Sequence, residues 1–280
     1  MIQLTDLSFG YRKQPPLFNG LNLSLGAGHI YGLLGKNGSG KTTLLKNMVG
    51  LRYPTAGRAT MDGLDTANRC PDVLSRVFFL PEEPYIPDHT ATAFLRMNSG
   101  FYPAFDRALL ADYLEAFEVP EQRTLAKLSL GQQKKFMVAF ALACRTKLLV
   151  MDEPTNGLDI PSKVQFRKVL ASAFDEDRCI VLSTHQVRDL DNLIDSVIIL
   201  HDGTIKLHAP LERLTAQIRF GKVSGGAGSS ALYGEEAFDG THAILPNPEG
   251  VSSKPDLELL FNAVVSESGI LLDYLTKEEA

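Results

Sequence analysis

The chain has 280 residues, 44% of them apolar and 22% charged, with a formal net charge of -5. These values fit a folded globular protein of one or two domains with a substantial core, and they exclude a disordered or low-complexity chain. Mild acidity without a long basic cluster argues against a dedicated nucleic-acid binder, and no apolar run approaches the roughly 18 residues of a transmembrane helix.

The opening stretch Met1-Ile2-Gln3-Leu4-Thr5-Asp6 lacks the basic and then apolar regions of a secretion signal, so a cytoplasmic location is expected. Residues 2–34 read as strands. Apolar and polar residues alternate in Leu21-Asn22-Leu23-Ser24-Leu25, and Gly26-Ala27-Gly28 turns the chain into His29-Ile30-Tyr31-Gly32-Leu33-Leu34, a short buried strand. Tyr11 follows Phe9-Gly10 in a turn that ends at Pro15-Pro16, where its ring covers the sheet edge or stacks on a ligand.

After that strand comes Gly35-Lys36-Asn37-Gly38-Ser39-Gly40-Lys41-Thr42, and Thr43-Leu44-Leu45-Lys46-Asn47-Met48-Val49 then reads as a helix that stops at Gly50. Strand, glycine-rich turn and helix have the spacing of a phosphate-binding P-loop. Three glycines let backbone N–H groups converge on phosphate oxygens, and the helix adds its positive dipole end. Gly35, Asn37, Gly38, Ser39, Gly40, Lys41, Thr42 and Thr43 are therefore candidate nucleotide ligands. Lys41 is placed to reach the β- and γ-phosphates, and the Thr42 hydroxyl to ligate a bridging Mg2+.

Short strands continue to Arg76-Val77-Phe78-Phe79-Leu80, and the pattern changes at Pro81-Glu82-Glu83-Pro84. From Thr92 to Leu142 the spacing is helical. Leu109, Leu110, Tyr113, Leu114 and Phe117 share one face, with Asp106 as the expected cap. Ser129-Leu130-Gly131-Gln132 has the capping-box pattern of a helix start, and Phe136 to Leu142 is apolar nearly all round, as in a buried helix.

Leu148-Leu149-Val150-Met151 reads as a buried parallel strand ending in Asp152-Glu153-Pro154. Ligands in open α/β sheets collect at such strand ends. Asp152 is placed to hold Mg2+ through water opposite Thr42, and Glu153 to polarise a water for in-line attack on a γ-phosphate. After Gly157-Leu158-Asp159, a helix is expected to carry Phe166, Val169, Leu170, Ala173 and Phe174 on one face. Ile180-Val181-Leu182-Ser183 reads as the next strand, with Thr184-His185 at its end. Val187, Leu190 and Ile194 predict another helical face, Val197-Ile198-Ile199-Leu200 another strand, and Asp202-Gly203 a hairpin turn.

Beyond about Leu214, Ser224 to Ser230 reads as a flexible link, followed by strand-like pieces and a helix with Leu257, Leu260, Phe261 and Val264 on one face. No chemistry is visible there, and packing on the main domain or on a partner is expected. Cys70, Cys144 and Cys179 are far apart and odd in number, so neither a disulfide framework nor a zinc site is expected.

Five features in this order resemble the ATP-binding cassette family, the nucleotide-binding subunits of ABC transporters. They are Gly35 to Thr42 as Walker A, Leu128-Ser129-Leu130-Gly131-Gln132 as the signature, Leu148 to Glu153 as Walker B, Gly157-Leu158-Asp159 as the D-loop, and Ser183-Thr184-His185 as the switch-histidine loop. The fold class implied is α/β: a P-loop RecA-like core with an antiparallel β region and an inserted helical subdomain. The ABC ATPase domain would cover residues 1–213, with the helical subdomain near 85–147, and residues 214–280 would form a small C-terminal appendage.

By that resemblance the cofactors are ATP and Mg2+. Tyr11 stacks on adenine, while Ser129, Gly131 and Gln132 face the γ-phosphate bound to a second copy. His185 contacts that phosphate and holds the attacking water with Glu153, and Asp159 meets the partner while also capping its own helix. Two positions depart from the usual pattern. Glu82 stands where the family commonly has glutamine, so a carboxylate there would ligate Mg2+ or orient water. Glu83 is one residue away, and a solvated loop acid is the plain alternative. Leu130 stands where the signature often has glycine, which bears on how closely the partner's phosphate approaches.

The function implied is an ATP-hydrolysing subunit of a head-to-tail dimer that energises transport, by analogy export, on the cytoplasmic face of a membrane. Separate integral membrane subunits would dock near the loop around Glu82 and the helical subdomain; nucleic acid is not an expected partner. Two other readings stay open at this point, a soluble ABC ATPase acting in translation or DNA repair and an ATP-switched regulatory module.

Overall fold

A computed structural model describes residues 1–280 apart from 121–122, 191, 224–230, 239, 267 and 278–280. The expected link from Ser224 to Ser230 lies outside the described residues. Strand residues that alternate in the sequence form a half-buried antiparallel sheet. It contains β1 (Ile2–Gly10), β2 (Pro16–Leu25), β4 (Ala56–Met61) and β5 (Leu64–Asp65) in the order β2-β1-β4-β5. In β2, Leu21, Leu23 and Leu25 face inward while Asn22 and Ser24 face solvent.

The continuously apolar runs form the central sheet instead. Its strands are β3 (His29–Leu34), β6 (Val77–Leu80), β7 (Leu148–Asp152), β8 (Cys179–Thr184), β9 (Ser196–His201) and β10 (Thr204–Pro210), in the order β10-β9-β3-β8-β7-β6. All neighbours are parallel except the β9–β10 hairpin. Asp202 (φ 47) and Gly203 (φ 70) make its two-residue turn, in the positive-φ conformation that matches strand twist. The sheet is covered on both faces. Leu149, Met151, Ile180 and Leu182 join the helical layer, whereas Leu148, Val150 and Val181 pack with the antiparallel sheet.

Helix α1 (Lys41–Met48) follows β3, two residues ahead of the expected Thr43 start, and a short α2 (Pro71–Leu74) precedes β6. Between β6 and β7 lie α3 (Ala91–Asn98), α4 (Arg107–Ala116) and α5 (Leu130–Ala143). Asp106 caps α4 by accepting from the amides of Ala108 and Leu109, as expected. The ring of Phe94 meets those of Phe140 at 5.1 Å and Phe136 at 5.4 Å, and Phe78 on β6 meets Phe140 at 5.8 Å. Aromatic contacts thus weld the helical insertion to the sheet.

Helix α6 (Ile160–Ser172) links β7 to β8. It buries Phe166, Val169 and Leu170 as expected, but it ends before Phe174, which is 41% exposed. The helical face expected over Val187, Leu190 and Ile194 is only a 3-10 turn at Val187–Leu190. Asp189 in that turn is held by Thr155 and Lys163, and the chain enters β9 at Ser196.

Helix α7 (Leu211–Gln217) runs across position 214 into the antiparallel sheet β11-β13-β12, formed by β11 (Ile218–Val223), β12 (Tyr233–Ala237) and β13 (Gly240–Pro246). Helices α8 (Leu257–Val265) and α9 (Ile270–Lys277) follow. Leu257, Leu260 and Val264 are buried as expected and Phe261 partly so; Ile218, Ile244 and Leu271 join them in the core cluster that includes Leu149 and Met151. The C-terminal residues are therefore packed on the main domain. Among the described residues no single helix is long and apolar enough to cross a membrane; α8 and α9 together are, but they bend by 99°.

Candidate active site

The strand order β3-β8-β7 brings three loops to one sheet edge. Leu34 pairs with Thr184, and Asp152 with Ser183, so the glycine-rich loop, the Asp152-Glu153 pair and His185 all leave the sheet side by side. Parallel pairing places these ends together although they lie far apart in the sequence.

Two glycines in the loop are required by space. A Cβ on Gly35 would stand 2.5 Å from Ser39 Oγ and 2.8 Å from the Leu200 carbonyl, and one on Gly40 (φ 100) would stand 2.9 Å from the Phe18 ring. Gly40 is also the N-cap of α1 and supplies no side-chain cap, which leaves the first helical N–H groups to an outside acceptor. Ser39 Oγ is buried without a hydrogen-bond partner. An orphaned donor in a backbone cradle at a helix start fits an anion such as a phosphate.

Lys41 is 7% exposed. Its Nζ donates to the carbonyls of Gly35 (2.8 Å) and Lys36 (3.3 Å) and lies 3.7 Å from Glu153 Oε1. Burial pushes the ammonium below its ordinary pKa, and Glu153 and Asp152 pull it back. Asp152 is 2% exposed, with Thr42 Oγ1 donating to Oδ2 at 2.6 Å and Ser183 Oγ to Oδ1 at 2.5 Å. A hydroxyl and a carboxylate held together are hard oxygen donors. With phosphate oxygens and water they suit Mg2+, which is usually bound by one or two carboxylates and substrate phosphates. Among the described residues no group of three or more His, Cys, Asp or Glu side chains forms a protein-only metal cage.

Glu153 has left-handed backbone (φ 46), a conformation that costs a non-glycine residue about 1–3 kcal/mol and persists only when its surroundings hold it. Its amide donates to Ser183 O at 3.1 Å and Oγ at 3.2 Å, and its Oε1 lies 2.9 Å from His185 Nδ1. A buried carboxylate is thereby aimed beside Lys41 and a histidine. An open cavity of about 620 Å³ joins Tyr11, Asn37, Lys41, Thr42, Glu82 and Glu153. The Tyr11 hydroxyl is 2.8 Å from Thr43 Oγ1, and the Arg52 guanidinium lies 5.7 Å from the ring centroid.

Glu82 is not a free loop acid: its Oε1 accepts from Asn156 Nδ2 at 2.6 Å. Glu83 lines a separate cavity with Leu130, Lys134 and Asn156. Ser129, Gly131, Gln132 and Asp159 do not line the cavity at Lys41. Ser129 and Gln132 form the expected capping box of α5, and Leu130 is 83% exposed. Asp159 caps α6 through Ser162, and hydrogen bonds to Ser162 hold its carboxyl below the usual value. Sequence reasoning missed Ser183 as the second partner of Asp152, and it missed Lys134 and Asn156 altogether. A polar residue closing an apolar strand was the visible signal for Ser183; nothing local marked the other two.

The family model described as ABC transporter matches residues 18–156. The bacitracin transport ATP-binding protein BcrA of Bacillus licheniformis is 30% identical over 223 residues, which cover 78% of this chain and 72% of that protein. The chain belongs to the ABC transporter ATP-binding proteins. NatA of Bacillus subtilis (strain 168), an ABC transporter ATP-binding protein, is 31% identical over 76% of this chain and 91% of its own length. A solved ATP binding subunit of an ABC transporter superposes with a TM-score of 0.68 at 26% identity, covering 75% of this chain and 90% of that one. A dimeric bacterial ABC transporter cassette gives 0.66 at 25% identity. This ABC protein is thus an ATP-binding subunit of the kind that energises transport through membrane subunits; the family binds and hydrolyses ATP, and its cassettes form dimers.

Proposed function

We propose that two copies of this chain close head to tail around two Mg-ATP molecules, each P-loop facing the signature of the other copy, and that hydrolysis reopens them. The observation that carries this reading is the Glu153–His185 contact at 2.9 Å beside Lys41, at the strand end where Asp152 is held by Thr42. Gly35, Asn37, Gly38, Ser39, Gly40, Lys41, Thr42 and Thr43 cradle the phosphates, and Tyr11 stacks on adenine. Thr42, Asp152 and Glu82 hold Mg2+, which when bound neutralises charge on the phosphate oxygens. Glu153 takes the proton of the attacking water as that water bonds to the γ-phosphorus and the bond to the β,γ-bridging oxygen breaks. His185 orients Glu153 and the water. Ser129, Gly131 and Gln132 reach the γ-phosphate of the partner copy, and Asp159 meets that copy at the interface.

Residues 1–213 act as the ATPase domain, with the helical subdomain near 85–147, and residues 214–280 as an appendage to it. Membrane subunits dock beside the helical subdomain, where Leu51, Leu74, Phe79, Tyr85 and Phe101 line an apolar groove of about 1030 Å³. The protein then works at the cytoplasmic face of a membrane. Export is the direction favoured by relatives such as the Nod factor export ATP-binding protein I of Burkholderia orbicola, which is 34% identical over 192 residues. Steady-state Mg-ATPase activity against protein concentration, with sizing in ATP, tests the dimer. Activity should rise faster than linearly and vanish in Glu153→Gln, which should elute as an ATP-bound dimer. Linear activity without an ATP-dependent dimer would overturn the composite site.

A further inference from the structure

Lys134 stands in the first turns of α5, two residues before the continuously buried part of that helix begins at Phe136, and is itself only 8% exposed. A buried ammonium is costly unless its donors are used. Nζ donates to the carbonyl of Glu153 at 2.9 Å and to that of Asn156 at 2.7 Å. These carbonyls belong to the first and last residues of one tight turn, which the Asn156 amide closes onto Glu153 O at 3.2 Å. One cation therefore clamps both ends of the turn whose first residue is the left-handed Glu153.

The same turn continues to the loop after β6. Asn156 accepts from Lys134 through its backbone and donates through its side chain to Glu82 Oε1 at 2.6 Å. We propose that Lys134 is a positioning residue for ATP hydrolysis: it fixes the turn that aims the Glu153 carboxylate and ties that turn, through Asn156, to Glu82. The proposal rests on the reading of Glu153 as the general base. Burial lowers the Lys134 pKa, while Glu82 first and then Glu153 and Asp152 favour the charged form. The ammonium in turn offsets the carboxylate at position 82, so that an acid is tolerated near the phosphates. Signature helix, Walker B turn and the Glu82 loop are thereby joined by a chain of three hydrogen bonds, none of which involves a P-loop residue, so loosening it moves the base first.

The test uses the full chain. Mg-ATPase kinetics, equilibrium ATP binding and thermal melting are compared for the parent, Lys134→Met, Lys134→Arg, Glu82→Gln, Glu153→Gln and the double variant Lys134→Met/Glu82→Gln. Lys134→Met should lower kcat about tenfold or more while KM and the ATP Kd stay within about twofold. Lys134→Arg, which keeps charge and donors, should recover most of kcat. The double variant should lose less than the product of the two single losses, because the Lys134 ammonium and the Glu82 carboxylate offset one another and removing both charges leaves neither unbalanced. Should Lys134→Met not fold, Lys134→Leu, which likewise lacks charge and donors, is judged by the same criteria. A kcat within about twofold of the parent overturns the proposal, as does a parallel loss of ATP affinity and melting temperature or an arginine no better than methionine. Normal turnover of Glu153→Gln removes the premise instead, whereas a silent Glu153→Gln beside a normal Lys134→Met removes the positioning role alone.

Discussion

The Walker half and the signature half of this chain are built differently. At the ends of β3, β7 and β8 the polar side chains already bond one another: Thr42 and Ser183 hold Asp152, and His185 and Lys41 flank Glu153. At the start of α5, Ser129 and Gln132 satisfy only their own helix, and Leu130 stands in solvent. One half is organised by its own sheet, whereas among the described residues the side-chain bonds of Ser129 and Gln132 stay within their own helix start. The difference is what a site shared between two copies would produce, since a surface that meets a partner's phosphate cannot be completed alone.

The largest effect is expected on the organised half. Glu153→Gln should cut turnover by about 10²- to 10⁴-fold while leaving ATP binding intact, and Lys41→Ala should instead weaken ATP binding, both read by titration beside steady-state kinetics. If the two variants behave alike, chemistry and binding are not divided between these residues. Next comes the other half. A Cβ on Gly131 meets nothing within 4 Å in the chain, so Gly131→Ala should keep or raise stability, by up to about 1 kcal/mol. Turnover should nevertheless fall about tenfold if a partner's phosphate closes on it. Unchanged turnover would remove the signature from the site and break the comparison.

A smaller effect separates site chemistry from fold stability. Burial first, then Arg213 and His29, hold His208 on β10 below its ordinary pKa of 6.5. The unfolded chain takes up that proton more readily, so stability present above about pH 6.5 is lost as pH falls through the lowered folded value. His208→Gln should flatten the melting temperature in that window, and activity profiles there need this control. The smallest effect belongs to the exposed Arg188–Glu258 ion pair, 2.8 Å long, between the 3-10 turn after His185 and α8. Arg188→Ala should change stability by no more than about 0.5 kcal/mol; a larger loss in melting experiments would mean that the appendage steadies the His185 loop.

Much of this could be read from residue order. Capping patterns placed α4 at Asp106 and α5 at Ser129, and the short apolar runs ending in Asp152 and Thr184 are buried strands, as their length and β-branched content suggest. Failures came where local periodicity was overruled by contacts from elsewhere. Val187 to Ile194 has helical spacing, but Thr155 and Lys163 hold Asp189 and the chain turns into β9. Position 214 lies inside α7, whose Leu214 is buried in one core with Ile218, Ile244 and Leu260. The two bonds of the link from Lys134 through Asn156 to Glu82 join residues 22 and 74 positions apart, a relation no periodicity encodes.

By itself the sequence determined the elements and the chemical types available at their ends: a glycine-rich turn, a lysine, two acids and a histidine, each following an apolar run. Spacing does this because hydrogen bonding and burial along one strand or helix are local. Only the tertiary structure decided that β8 lies between β3 and β7, which seats His185 on Glu153 and Thr42 on Asp152. It alone turned Lys134 inward, because the direction of a side chain and the cost of burying its charge depend on what packs around it.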